Sequence, residues 1–137
     1  MDKHFFFIAF IFLPLTVLSR SRVVCDTVRS EILNADRHFS VYLPPSYDNE
    51  SADKKYPVLY LLHGMSQTDM DWVYRGHVQE VADRLAYSGE ADEMVIVMPD
   101  AGGDIYAGVW NGYFDMPGWS YEKYFFDEFL PYIERKY

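Results

Sequence analysis

Apolar and polar residues alternate twice near the start of the chain, from Val28 to Leu33 and again at Phe39, Val41 and Leu43. With the turn-like Asn34-Ala35-Asp36 between them, they predict an antiparallel strand pair that Pro44-Pro45 ends. The polar stretch from Ser46 to Lys55 reads as a solvent-facing loop. Val58 to Leu62 is then a near-continuous apolar run, the pattern of a strand buried on both faces of a parallel sheet.

From Val73 the period lengthens. Val78, Val81, Ala82 and Leu85 fall on one helical face, and Gly89 stands where a helix would stop. Met94 to Met98 is a second buried strand, closed by Pro99, so strand, helix and strand form a βαβ unit with parallel strands. An open edge is expected beside Met94–Met98. Asp100 to Gly118 reads as a long loop rich in glycine and aromatic residues. A final helix spans about Tyr121 to Lys136, with Phe125, Phe126, Phe129, Leu130 and Ile133 in one stripe. Pro131 should bend it or loosen its first half, because its ring clashes with the carbonyl four residues back. The expected fold class is α/β: an antiparallel pair, a βαβ parallel unit and a C-terminal helix.

The N-terminus changes the picture of where the chain works. Phe5 to Leu18 is almost wholly apolar behind Lys3, which fits a secretory signal over residues 1–19, cut after Ser19 or Ser21. The run is too short to span a bilayer, and the alternative is a retained anchoring helix. A secreted or periplasmic protein with no stable membrane anchor after processing is expected, its domain running from residue 26 to 137.

Removing residues 1–19 takes one base and one acid, so the net charge stays at −9. Such an acidic chain argues against nucleic acid or an anionic lipid surface as partner and suits a neutral substrate. Cys25 is the single cysteine, so any disulfide would be intermolecular. It reads as part of a disordered tail.

The chemistry concentrates after the first parallel strand. His63-Gly64 lies at its carboxyl end, where open α/β sheets place their sites, and Trp72 follows eight residues after Gly64. Yet no G-x-S-x-G nucleophile elbow occurs in the sequence. His63 could act as a base or flank a pocket. Ser66 and Ser120 lack the elbow context and read as loop or cap residues. Asp100, Asp104, Asp69 and Asp71 could bind a cation, but without calcium-loop spacing they read as turn carboxylates. His38 and His77 read as ordinary strand and helix residues. Tyr106, Trp110, Tyr113, Phe114 and Trp119 either receive a sugar or phenolic ring or pack their loop onto the sheet. A nucleotide-binding doubly wound domain is disfavoured, because the first β-to-α turn has no G-x-G-x-x-G.

Four segments in order, VYLPPSYD, KKYPVLYLLHG with Trp72 downstream, VIVMPDAGGD and YEKYFFDEFLPYIERKY, resemble the esterase D-like esterases of the α/β-hydrolase superfamily. That group includes S-formylglutathione hydrolases, feruloyl and acetyl-xylan esterases, and mycolyltransferases. The resemblance runs from about Val28 to Tyr137. It implies a Ser-His-acid esterase without cofactor or metal, acting on a small-molecule or carbohydrate ester. It also implies that the Met65 N–H, following Gly64, is one oxyanion donor, with His63 beside that loop; Trp72, and Asp100 and Trp110 at the sheet's functional edge, are the further substrate-binding candidates. The nucleophile, acid and base have no counterpart here, so the chain is expected to be an N-terminal half, inactive alone. The alternative is a non-catalytic module that binds a glycan or peptide.

Overall fold

The computed structural model describes residues 20–49 and 54–137. The apolar run read as an export signal lies outside the described residues. Strands β1 (Arg22–Ser30) and β2 (Ala35–Leu43) pair antiparallel, with Cys25 opposite Ser40. Cys25 is therefore a strand residue rather than part of a tail, and β1 takes in residues ahead of position 26. The turn falls at residues 31–34, earlier than the sequence pattern places it, with Asn34 at φ 47°. A distant side chain fixes it. Ser30 donates its hydroxyl to Glu128 at 2.6 Å, and the N–H groups of Glu31 and Ile32 both reach the same carboxylate at 3.2 Å.

Strand β3 (Val58–Tyr60) pairs parallel with β4 (Val95–Pro99), and β2 pairs antiparallel with the other side of β4. The sheet order is β1-β2-β4-β3. Strand β4 is thus interior, and the open edge belongs to β3. This corrects the expectation of a fully buried first parallel strand. Val58 is 43% and Leu59 41% exposed, because β3 has a strand on one side only among the described residues.

Between these strands lie the short α1 (Asp71–Tyr74) and α2 (Val78–Ser88), which Gly89 ends in the left-handed conformation at φ 74°. His77 precedes α2 at φ 48° and is not part of the helix. Side chains of the sheet alternate between two cores. Phe39, Val41, Val95 and Val97 face Tyr121, Tyr124, Phe129 and Ile133, whereas Tyr42, Ile96 and Met98 face Val78 of α2. Helices therefore cover both faces of β4, and its five residues are all buried.

The loop after β4 contains a small hairpin, β5 (Asp115–Met116) with β6 (Trp119–Ser120). The final helix comes in three pieces: α3 (Tyr121–Tyr124), a π-helical stretch Phe125–Phe129, and α4 (Leu130–Lys136). The widened stretch ends two residues before Pro131, which has no N–H to return to an earlier carbonyl and forces the ladder open in the turn ahead of it. The loosened first half follows the sequence expectation. The stripe does not hold throughout, since Phe126 is 60% exposed while Tyr121 and Tyr124 are buried.

Candidate active site

Parallel β3 and β4 end side by side, and the loops leaving them meet over a cavity of about 280 Å³. His63, Gly64, Met65 and Ser66 form one wall; Ala101, Gly103, Trp110, Tyr113 and Phe114 are among those forming the other. Of the residues that sequence reasoning gathers, Gly64, Met65, His63 and Trp110 come together here. Asp100 and Trp72 do not line it. The Trp72 indole instead donates to the Leu62 carbonyl at 3.2 Å, tying α1 to the strand end.

Residues 64–67 make a tight turn. The Gln67 N–H donates to the Gly64 carbonyl at 3.2 Å, and Ser66 sits at φ 58°, where a type II turn favours glycine. Gly64 donates its own N–H to Gln67 Oε1 at 2.7 Å. A Cβ at position 64 would lie 2.8 Å from that oxygen, so any side chain displaces the Gln67 amide. The Met65 N–H has no acceptor among the described residues, and Met65 is 75% exposed. Met65 is also one of the residues that line the cavity.

The His63 side chain is only 3% exposed. Its Nδ1 lies 2.8 Å from the Gly64 oxygen, and the Ala101 N–H donates to its Nε2 at 2.9 Å. Asp100 Oδ1 lies 3.3 Å from the same Nε2 and accepts the Gly102 N–H at 2.8 Å. Arg37, buried beneath, donates to the Asp100 carbonyl at 2.9 Å, stands 3.7 Å from its carboxylate and stacks on Trp119. Burial opposes the charge on Asp100, but His63, the Gly102 N–H and Arg37 outweigh it and hold the carboxyl below its ordinary value. Burial likewise opposes the His63 cation, yet Asp100 and the Gly64 carbonyl prevail and raise the ring. Tyr113 clamps the two strand ends: its hydroxyl accepts the His63 N–H at 2.8 Å and donates to the Pro99 carbonyl at 3.2 Å.

The remaining candidates have structural work. Ser66 Oγ accepts the Ile105 N–H at 3.4 Å, and both nitrogens of the nearby His63 ring are already engaged, so no free base activates it. Asp69 accepts the Ser40 hydroxyl, Asp71 caps Thr68 and pairs with Arg75, and Asp104 accepts the N–H groups of Tyr106 and Ala107. Among the described residues, no group of three or more His, Cys, Asp or Glu side chains is placed to hold a metal ion. His38 contacts Thr27 on the strand surface.

Sequence reasoning misses Arg37, Gln67 and Tyr113 as organisers of this wall. Arg37 had a signal: it falls in phase with Phe39, Val41 and Leu43, a charge on the core-facing side of β2.

Residues 30–137 match the family described as "Putative esterase". The chain belongs to this esterase family. A solved ferulic acid esterase is 59% identical, with a TM-score of 0.82 over 87% of this chain and 44% of that one. The ferulic acid esterase of Anaeromyces mucronatus, solved with ferulic acid, is 24% identical at TM-score 0.67 over 89% of this chain and 45% of that one, a likeness of fold. The endo-1,4-beta-xylanase/feruloyl esterase of Xylanibacter ruminicola is 28% identical over 100 residues, 72% of this chain and 14% of that protein. The chain thus spans less than half the length of these relatives. Its fold is part of an α/β-hydrolase fold, and no G-x-S-x-G occurs in its 137 residues.

Proposed function

We propose that this chain supplies the oxyanion-loop half of a carboxylic-ester hydrolase, with feruloyl or related phenolic esters of carbohydrates as substrate class. The observation that carries the reading is the unpartnered Met65 N–H at the mouth of a cavity walled by Trp110, Tyr113 and Phe114. Attack on an ester carbonyl puts negative charge on its oxygen, and a fixed N–H aimed there lowers the barrier without reorganising. The aromatic wall suits a planar phenolic acyl group. The 59% identity to a ferulic acid esterase supports the same class.

The nucleophile, its base and the acid lie, in this reading, outside these 137 residues, since no G-x-S-x-G is present. Export belongs to the proposal, supported by the apolar run behind Lys3. The missing elbow favours a second reading, a module that binds the ester without cleaving it. One experiment separates them. Residues 20–137 are placed in the matching segment of the 59%-identical ferulic acid esterase, and methyl ferulate hydrolysis is measured. Turnover by the hybrid supports the hydrolase. A folded hybrid that binds ferulate but never turns over supports the binding module.

A further inference from the structure

The Gly64 carbonyl and the Met65 N–H belong to one peptide unit. No peptide bond among the described residues is cis, so in this planar trans unit the two groups point in opposite directions. Whatever grips the carbonyl therefore aims the N–H.

The His63 ring grips it in a defined protonation form. A backbone N–H can only donate, so the Ala101 N–H requires a lone pair on Nε2, which leaves the neutral ring's proton on Nδ1. That proton faces the Gly64 oxygen at 2.8 Å. Ala101 is in turn held through Asp100, whose carbonyl accepts from Arg37 at 2.9 Å and from the Tyr121 hydroxyl at 3.1 Å. The β4 loop thus selects the tautomer, and the tautomer orients the peptide of the β3 loop.

We propose that His63 is a positioning residue, which sets the direction of the Met65 N–H through the Gly64 carbonyl and does not itself touch substrate. The inference rests on the hydrolase reading for its purpose, but its geometry can be tested without turnover. Protonation at Nε2 gives up the Ala101 N–H and turns the new N–H to Asp100 Oδ1, 3.3 Å away, while the Nδ1–H stays in place, so the grip on Gly64 persists in both charge states. The Gln67 N–H also donates to Gly64, so loss of the ring loosens the peptide without releasing it.

The test uses the full chain, with nitrogen-15 spectra of the imidazole and residual dipolar couplings of the backbone amides. Above the ring's titration, His63 should show a protonated Nδ1 and an unprotonated Nε2; the opposite tautomer overturns the proposal. The Met65 N–H coupling should shift in His63→Leu and return in His63→Asn, whose amide can donate from the Nδ1 position. Couplings along Val95–Pro99 should stay unchanged. An unaltered Met65 coupling in a folded His63→Leu chain would overturn the proposal. Should His63→Leu fail to fold, the wild-type tautomer decides. Failure of the hybrid to hydrolyse methyl ferulate would instead count against the hydrolase reading and leave these couplings as they are.

Discussion

His63 Nδ1 lies 2.8 Å from the carbonyl oxygen of Gly64, the next residue in the chain, and the ring's other nitrogen receives the Ala101 N–H from a neighbouring loop. One imidazole thereby joins the carboxyl ends of two parallel strands and grips the peptide whose Met65 N–H is the proposed oxyanion donor. In the proposed esterase, His63 stands one step removed from the chemistry.

In an esterase hybrid containing this chain, His63→Leu is expected to lower kcat about tenfold and leave KM nearly unchanged, because a loosened donor weakens transition-state binding selectively. His63→Asn should recover most of the loss. Gly64→Val should cost more, on the order of 10²-fold, since it expels the Gln67 amide and crowds the donor. Initial-rate kinetics on methyl ferulate separate these outcomes. Equal losses for both positions would place His63 in the reaction itself.

The His63–Asp100 pair sets a pH window for stability. The His63 ring is raised above its ordinary 6.5, so its stabilisation is complete below that value and is lost as pH rises through the raised one. Asp100 is held below its ordinary 3.8, so its contribution is present above that value and fades as pH falls through the lowered one. The pair therefore contributes most between pH 3.8 and 6.5. Thermal melts across pH should show the Tm gap between wild type and Asp100→Asn widest in that interval and narrowing on both sides. A gap independent of pH would mean that the two groups are not coupled.

Glu128 reaches from the π-helical stretch to hold the β1–β2 turn through one hydroxyl and two backbone N–H groups. Glu128→Ala leaves three donors without their acceptor and should cost about 1–3 kcal/mol. Urea denaturation measures the loss, and hydrogen exchange should locate it at Glu31 and Ile32. A change below about 0.5 kcal/mol would show that water replaces the carboxylate at no cost.

Gly102 takes φ 74°, and a Cβ there would lie 2.6 Å from Arg37 Nη2. Gly102→Ala should destabilise by about 1–3 kcal/mol, from backbone strain together with displacement of the guanidinium from Asp100. Because Ala101 stands beside it, the His63 imidazole nitrogen shifts should move as well. A destabilised variant with unmoved imidazole shifts would separate Arg37 from the His63 network.

The two layers of helix on sheet were legible because period 2 and period 3.6 each impose a distinct apolar spacing, as at Phe39, Val41 and Leu43 or at Val78, Ala82 and Leu85. The resemblance of KKYPVLYLLHG to a known loop located Gly64 and Met65. What escaped was set by contacts distant in sequence. The β1–β2 turn shifts because Glu128 arrives from about a hundred residues away, and Val58 and Leu59 read as buried although β3 pairs on one side only among the described residues. The sequence pattern could place His63 beside the loop. It could not show that Ala101 decides which ring nitrogen carries the proton.

Replacing the Met65 N–H by an ester oxygen, through incorporation of the matching α-hydroxy acid in the hybrid, removes the proposed donor and leaves the side chain intact. Loss of a single oxyanion donor should lower kcat for methyl ferulate by about 10²–10³-fold with little change in KM. An ester-linked hybrid that folds and keeps its full kcat would show that the Met65 N–H takes no part in catalysis.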